Sequence, residues 1–496
     1  MQTRSGPYPL PHSAASGTCR PSPIEAASKR HEFETRLSRQ GNSQVDSHVH
    51  RPTDAQVRFD DNECSHACTH RMDPRPLLPR PSWLTQLRGW RPGLYARASS
   101  ALFGWLFTRA AAQALLVVLL ARTLGARAYG DYVAALAVAS FFAPVAGLGL
   151  HGVILRDGAR APDNLGGLLN RALRLYWRAL LVCWVLGSAV ALVALPRTIS
   201  AWLLVLLVGA EVTAGSLVEM LGRVEQALHR SAGFGAIIAG LALARLAAVA
   251  LWMVFSTRTA EGWIVAYAAA SMLYVAAILW RARRRLRADG RTAIDWTMAA
   301  QGAPFAVGAV AMRLQGEFNK PVLAAIGPAL AANLSLAQRA IDFASLPLLA
   351  LQDALWPRLY ASHEPGRRLL RTGGLLLVLA LLGGVVFTAL GPLLPRLLGH
   401  GFEPTAQLLR WLAWLPTLQL LRNLGNAHWI ANGHAKHLTG VYAAGTIAGI
   451  LATLLLVHRD GLAGAIAAVY ATELVNLGAQ LLLLLAITNH AARPPH

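Results

Sequence analysis

Residues 101–120 read ALFGWLFTRAAAQALLVVLL, an apolar run that contains a single charged side chain, Arg109. A helix needs about 20 predominantly apolar residues to cross roughly 30 Å of hydrocarbon. The run therefore predicts a membrane-spanning helix that carries one buried positive charge.

The remainder of the 496-residue chain repeats this pattern. Only 14% of its residues are charged, against about 25% in soluble proteins, and 54% are hydrophobic. The sequence predicts an all-α integral membrane protein with about twelve transmembrane helices. The predicted spans are 101–120, 133–154, 176–195, 200–222, 233–256, 263–280, 303–326, 332–355, 373–394, 405–428, 438–457 and 463–486.

The net charge of +21 is explained by membrane topology, so that nucleic acid is not needed as a partner. Nineteen Lys and Arg residues lie in the loops on one side of the predicted spans, and six lie on the other. Basic residues collect on the cytoplasmic side of membrane proteins. The bias alternates through all twelve spans and predicts a multi-pass protein with both termini in the cytoplasm.

Residues 1–82 differ from the rest of the chain. They contain 11 Lys and Arg, 9 Asp and Glu, and no sustained apolar period, a composition that predicts disorder. We expect the working protein to begin near Met72, so that most of this leader is not translated; the alternative is that the leader is a regulatory tail. Cys64 and Cys68, with two neighbouring histidines, have ligand-like spacing, but a zinc site needs four ligands on an ordered frame, so no metal is predicted.

The longest basic loop, 281–301, divides the chain into a six-helix N-terminal lobe at 101–280 and a six-helix C-terminal lobe at 302–487. The two halves show an internal similarity. LGARAYGDYVAALAVASFFAP at 124–144 and IGPALAANLSLAQRAIDFASLP at 326–347 occupy corresponding places and align Gly125 with Gly327. Parallel repeats of this kind are typical of secondary transporters, whose site lies between the halves.

Two segments resemble one known family. They are LLARTLGARAYGDYVAALAVASFFAPVAGLGL at 119–150 and LLGHGFEPTAQLLRWLAWLPTLQLLRNLGNAHWIANGHAKH at 397–437. Both are similar to polysaccharide or O-antigen flippase-type transporters of the multidrug/oligosaccharidyl-lipid/polysaccharide (MOP) exporter superfamily, and the resemblance extends over about 100–486. It implies two lobes around a V-shaped cavity in the bacterial inner membrane.

The resemblance further implies a function in surface polysaccharide biosynthesis. By alternating access, such a flippase transfers undecaprenyl-diphosphate-linked oligosaccharide units outward for lipopolysaccharide O-antigen, capsule or exopolysaccharide. Polysaccharide polymerase and glycosyltransferases are the implied partners, and no cofactor is implied.

Charged side chains inside the spans are the candidate site residues, because charge at bilayer depth is costly and usually faces a wet cavity or a partner. Arg109 and Arg313 lie at corresponding depths in the two halves. Arginine forks bind phosphate oxygens bidentately, which suits a diphosphate. The predicted substrate-binding residues are Arg109, Arg313, Lys320 and Arg339.

Three carboxylates, Glu317, Asp342 and Glu211, are candidates for coupling to H+ or Na+, because removal from water favours the protonated form of a carboxylate. A structural alternative remains open for several of the charges, which are spaced for ion pairing within one helix. The pairs in question are Arg313–Glu317, Glu317–Lys320, Arg339–Asp342 and Glu219–Arg223.

Several functions are compatible with such a membrane protein. A drug/cation antiporter favours an anionic cavity, whereas the predicted substrate-binding residues are basic. A peptidoglycan lipid-precursor flippase differs from a polysaccharide flippase only in cargo. A membrane enzyme usually needs a sizeable outer loop, and the predicted outer loops are short. The sequence lacks the nucleotide-binding pattern G-x-x-x-x-G-K-[ST]. It also lacks the metalloprotease pattern H-E-x-x-H and the hydrolase pattern G-x-S-x-G, which favours a transporter over an enzyme.

Overall fold

The computed structural model describes residues 94–255, 258–286, 294–360, 365–399, 401–431 and 435–491. The regular elements in these ranges are α-helices, apart from one 3₁₀ turn at Pro162–Asn164. The N-terminal group comprises α1 (Leu94–Ala146), α2 (Leu150–Arg160), α3 (Leu165–Ala194), α4 (Ala201–Ala227), α5 (Ser231–Phe255) and α6 (Ala260–Leu286). The C-terminal group comprises α7 (Trp296–Glu317), α8 (Asn319–Ile326), α9 (Pro328–Tyr360), α10 (Pro365–Leu390), α11 (Leu393–Leu398), α12 (Glu403–Leu412), α13 (Leu415–Ala431), α14 (Ala435–Asp460) and α15 (Leu462–Ala491).

This architecture confirms the predicted all-α membrane protein. Eight helices of the described residues are long and apolar enough to cross a membrane. One of them, α1, contains predicted span 101–120 and most of span 133–154, and its 53 residues are interrupted between the two at Gly125, where φ is 73° and ψ is 171°. Left-handed φ values of this kind are accessible to glycine without steric cost. About twelve spans are consistent with this count.

Four of the predicted spans are broken where the sequence analysis expects continuous helices. Span 133–154 is interrupted between α1 and α2, span 303–326 at Phe318 between α7 and α8, span 373–394 between α10 and α11, and span 405–428 between α12 and α13. At the first break Leu148 and Gly149 both have positive φ, which no α-helix accommodates. Apolar composition reports the length of a span and carries no information about such local reversals.

Two further boundaries differ from expectation. Helix α3 begins at Leu165 rather than at 176, because the segment with basic residues that precedes the apolar run is helical too. The basic linker is also shorter than 281–301, because α6 continues to Leu286 and α7 begins at Trp296. The leader 1–82 with Met72, the Cys64 and Cys68 cluster, and linker residues 287–293 lie outside the described residues.

The aligned glycines of the internal similarity occupy equivalent positions. Gly125 separates the two helical parts of α1, and Gly327 separates α8 from α9. Seven residues after each glycine, Tyr132 and Leu334 are both buried. The division of the chain into two six-helix lobes stays a prediction.

The two groups of helices touch at both of their ends. At the kink side, which contains Gly125, a β-carbon built on Gly130 would lie 1.8 Å from the Pro328 carbonyl oxygen. At the linker side, where α6 ends and α7 begins, a β-carbon on Gly149 would lie 2.0 Å from the Gly302 carbonyl oxygen. Glycine at these positions lets the backbones approach, and a cavity is left between the two contacts.

Candidate functional site

A cavity of about 330 Å³ lies between the N-terminal and C-terminal groups of helices. Helices α1, α4, α5 and α6 form one wall, and α7, α8 and α9 form the other. All seven residues predicted for substrate binding or ion coupling line this single cavity. Its charged lining residues are Arg109, Glu211, Glu219, Arg245, Arg313, Glu317, Lys320, Arg339 and Asp342.

The break at Phe318 sets the geometry of the C-terminal wall. Arg313 and Glu317 lie in the last turns of α7, and Lys320 lies at the start of α8. The Lys320 ammonium donates to Glu317 Oε2, which forms an ion pair across the break. Since Lys320 is only 3% exposed and its ammonium is already engaged by Glu317, it is less accessible from the cavity than Arg313.

Arg109 and Arg313 face the cavity from opposite walls, and within the described residues neither forms an ion pair. The positive charges of Arg313 and Arg339 are both close enough to Arg109 to repel its guanidinium group. The Nε atom of Arg339 is buried and has no hydrogen-bond partner within the described ranges of the chain. A buried polar group in this condition is costly unless water or a ligand completes its bonding.

The alternative of intrahelical neutralisation holds for some pairs and fails for others. Glu317 pairs with Lys320, and Arg223 donates to Glu219 at 2.7 Å. In the described part of the chain, Arg313 does not pair with Glu317, because Glu317 is taken by Lys320.

The remaining predicted pair, Arg339–Asp342, also forms no ion pair among the described residues. Asp342 is exposed on the surface of the cavity, while Arg339 is half-buried. The spacing of three residues places both side chains near one face of α9, yet it does not bring them into contact.

The N-terminal wall carries an ion pair between helices. Arg245 of α5 donates to Glu211 of α4 at 2.6 Å, and Tyr267 of α6 also donates to that carboxylate. Arg245 and Tyr267 are site residues absent from the predicted set. Glu211 and Arg245 are 34 residues apart, so sequence spacing gives no sign of their contact.

The positive and negative charges that line the cavity therefore do not balance. Glu211, Glu219 and Glu317 are each held by a basic partner. Among the described lining residues, those without an ion pair are Arg109, Arg313, Arg339 and Asp342. Three positive charges and one negative charge leave a net charge of +2, with Glu219 counted as neutralised by Arg223, which lies outside the lining.

Two other intramembrane features lie away from the cavity lining. Arg422 of α13 donates to both carboxylate oxygens of Glu473 of α15 at 2.8 Å, an ion pair inside the C-terminal group. His151 of α2 packs edge-on against Phe305 of α7, with ring centroids 6.3 Å apart, and so contributes to the contact at the linker side.

Sequence comparisons do not assign a family. No protein-family model matches the chain, and no curated protein matches its sequence.

Solved structures do show the fold. The chain is similar to the lipid II flippase MurJ in an inward closed conformation, with a TM-score of 0.62 and 12% identity over 77% of this chain and 87% of that one. It is similar to an inward-facing multidrug resistance MATE family transporter of the MOP superfamily, with a TM-score of 0.57 and 14% identity over 75% and 92% of the two chains. The MATE multidrug transporter DinF-BH in complex with R6G has a TM-score of 0.53 and 16% identity over 79% and 94%.

These likenesses define the class of protein. The chain is a multi-pass membrane protein with the fold that MurJ and the MATE transporters share. The neighbours are transporters, and they handle different cargoes. Identities below 20% extend no further than the fold, so the cargo of this chain has to be argued from its own cavity.

Proposed function

We propose that this protein flips an undecaprenyl-diphosphate-linked oligosaccharide across the bacterial inner membrane for surface polysaccharide biosynthesis. The observation that carries the proposal is the net charge of +2 that remains in the cavity after its ion pairs are accounted for. A diphosphate diester carries two negative charges and planar arrays of acceptor oxygens. Arg109, Arg313 and Arg339 match this group in charge and in hydrogen-bonding geometry.

The transport cycle follows from the two contacts that close the cavity. In the proposed orientation, both termini and the linker side face the cytoplasm. The diphosphate enters from that side when the contact between Gly149 and Gly302 opens, while the polyprenyl chain stays in lipid. Rocking of one lobe against the other then opens the kink side and exposes the oligosaccharide outside.

Coupling to H+ or Na+ is assigned within this proposal to Asp342. Of the three predicted carboxylates, Glu317 is held by Lys320, and Glu211 is held by Arg245 and Tyr267. Asp342 is the one of the three that forms no ion pair among the described residues, and it is exposed in the cavity. Polysaccharide polymerase and glycosyltransferases are the proposed partners, since they consume and supply such a cargo.

Two other cargoes fit the same fold. A peptidoglycan lipid precursor carries the same diphosphate, and the likeness to MurJ favours it as a second candidate. A drug/cation antiporter is the weaker candidate, because an organic cation would meet three unpaired arginines in this cavity.

Charge reversal in cells tests the proposal. We expect Arg109→Glu and Arg313→Glu to abolish the surface polysaccharide at unchanged membrane abundance, with lipid-linked units accumulating on the inner leaflet. The matched control is Arg197→Glu, since Arg197 is exposed in the turn between α3 and α4, away from the cavity. Normal polysaccharide in both cavity variants would overturn the assignment of these arginines.

A further inference from the structure

The ion pair on the N-terminal wall is held more rigidly than charge neutralisation requires. Arg245 donates from Nη2 to Glu211 Oε2 at 2.6 Å and from Nε to the Ser271 hydroxyl at 3.0 Å. The Tyr267 hydroxyl donates to the same Glu211 oxygen. The guanidinium carbon of Arg245 also lies 4.3 Å from the centroid of the Tyr267 ring. Three helices thus fix one carboxylate and one guanidinium group in place.

This arrangement leaves one hydrogen-bonding atom free on each partner. Both contacts to Glu211 use Oε2, so Oε1 has no partner among the described residues. Nη1 of Arg245 is likewise without a partner in that part of the chain. The side chains keep 19% exposure for Glu211 and 15% for Arg245, and both line the cavity. A fixed acceptor and a fixed donor are therefore available side by side.

The surroundings of the pair are aromatic. Tyr132 packs edge-on against Tyr267, with ring centroids 5.7 Å apart, and both line the cavity. Trp263 packs against both tyrosines, with centroid distances of 6.0 and 5.7 Å. Tyr132 and Tyr267 are only 3% and 1% exposed, and the Arg245 guanidinium lies over the Tyr267 ring, so these rings hold the free donor and acceptor in position rather than offer a face to a ligand.

We infer that Glu211 and Arg245 form a subsite that binds hydroxyl groups of the sugar next to the diphosphate, with Tyr132 and Tyr267 packed behind them as support. A sugar hydroxyl both donates and accepts, so it can donate to Glu211 Oε1 while a neighbouring hydroxyl accepts from Arg245 Nη1. The paired charges cancel, which suits an uncharged polyol better than a cation or a second phosphate. This subsite rests on the proposed function.

The subsite lies in the same cavity as the arginines assigned to the diphosphate. Arg109 is within electrostatic range of Arg245 on its own wall and of Arg313 on the opposite wall. The cavity volume of about 330 Å³ is at the lower end of the range for ligand pockets, roughly 300–1,000 Å³. In this conformation it suits the diphosphate with its first sugar rather than a complete oligosaccharide. The subsite would then select cargo by the sugar attached to the diphosphate.

The test compares two diphosphate diesters of equal charge on the purified full-length chain: undecaprenyl diphosphate carrying a methyl group in place of the sugar, and undecaprenyl diphosphate carrying N-acetylglucosamine. We expect the wild-type protein to bind the sugar-bearing lipid about tenfold more tightly, as two net hydrogen bonds provide. Glu211→Gln should reduce this ratio of affinities to about one. Arg245→Lys, which keeps a positive charge beside Glu211 but removes Nη1, should reduce it as well, and it serves where Glu211→Gln does not fold.

Glu473→Gln is the matched control, because it removes a carboxylate from a comparable buried ion pair that does not line the cavity. It should keep the tenfold ratio. Equal binding of the two lipids by the wild-type protein, or an unchanged ratio in the Glu211 and Arg245 variants, would overturn the subsite while leaving the proposed function intact. If Glu473→Gln also lost the tenfold preference for the sugar-bearing lipid, the subsite would be overturned too, since breaking any ion pair would then abolish that preference.

A different outcome would remove both proposals. If the wild-type protein bound neither diphosphate lipid but bound the organic cation ethidium, and Glu211→Gln lost that binding, Glu211 would be the anionic site of a drug antiporter.

Discussion

Gly149 and Gly302 meet so closely at the linker side that a β-carbon on Gly149 would lie 2.0 Å from the Gly302 carbonyl oxygen. Gly149 has a φ of 63°, and the neighbouring Gly152 lies under the ring of Phe305. The hydrogen bond from Arg156 to Gln301 at 2.6 Å lies near this contact. The linker side of the cavity is therefore closed by backbone apposition, which tolerates no added side-chain volume.

The first prediction concerns this contact. Gly302→Val should hold the linker side open, because a β-carbon on Gly302 would lie 2.1 Å from the Leu148 carbonyl oxygen. In a background without other cysteines, Gln113→Cys in the cavity lining should then react faster with a membrane-impermeant thiol reagent than it does in the protein that keeps Gly302. Gly308→Val on the same helix is the control, since nothing lies within 4 Å of its added β-carbon. Equal labelling rates in all three proteins would show that this contact does not close the cavity.

The second prediction concerns the ion pair across the α7–α8 break. Lys320→Met should destabilise the protein by about 2–3 kcal/mol, because it leaves the Glu317 carboxylate, with 27% of its side chain exposed, without its partner. The double variant Lys320→Met with Glu317→Gln should recover most of this loss, as measured by unfolding in lipid bicelles. Recovery of stability together with transport would identify the pair as structural. Recovery of stability without transport would support the predicted contact of Lys320 with substrate.

The fold could be predicted from the sequence because span length and loop charge are properties of the composition. The breaks could not, since composition reports neither the positive φ of Leu148 and Gly149 nor the turn at Phe318, where φ and ψ themselves stay helical. All seven predicted side chains reach one cavity, as expected because an intramembrane charge needs either a wet cavity or a charged partner.

The ion-pair partners of these side chains could not be predicted from the sequence, for a different reason. Spacing within a helix indicates which partners are available, but not which one is chosen. Glu317 had candidates on both sides and pairs with Lys320 rather than Arg313. Contacts between helices, such as Glu211 with Arg245, depend on packing that sequence spacing does not encode.

The third prediction separates the charge of Arg313 from its shape. Arg313→Lys retains a positive charge but loses the planar fork that binds two phosphate oxygens at once. We expect it to weaken binding of undecaprenyl diphosphate about tenfold, and Arg313→Gln to weaken it further, since a charge-assisted hydrogen bond contributes about 1.5–3 kcal/mol. Titration of both lipid-reconstituted variants checks the order. Equal affinity in wild type, Lys and Gln variants would mean that Arg313 does not contact the diphosphate.

The fourth prediction concerns Asp342, the proposed site of ion coupling. Asp342→Asn should remove the dependence of transport on the H+ or Na+ gradient and leave the affinity for undecaprenyl diphosphate at least as high, because it removes the negative charge that opposes the three arginines. Transport into proteoliposomes with and without each imposed gradient provides the measurement. A variant that still responds to the same gradient as the wild-type protein would place coupling at another residue.

The most direct measurement of the central claim is translocation by the purified protein in liposomes. Undecaprenyl diphosphate carrying a fluorescent saccharide is placed in both leaflets, and its exposure to an external quencher is followed over time. The account predicts that the wild-type protein makes the inner pool accessible, that Arg109→Gln with Arg313→Gln abolishes this, and that Arg197→Gln does not. Failure of the wild-type protein to move this lipid, together with its transport of ethidium, would contradict the account and identify a cation transporter.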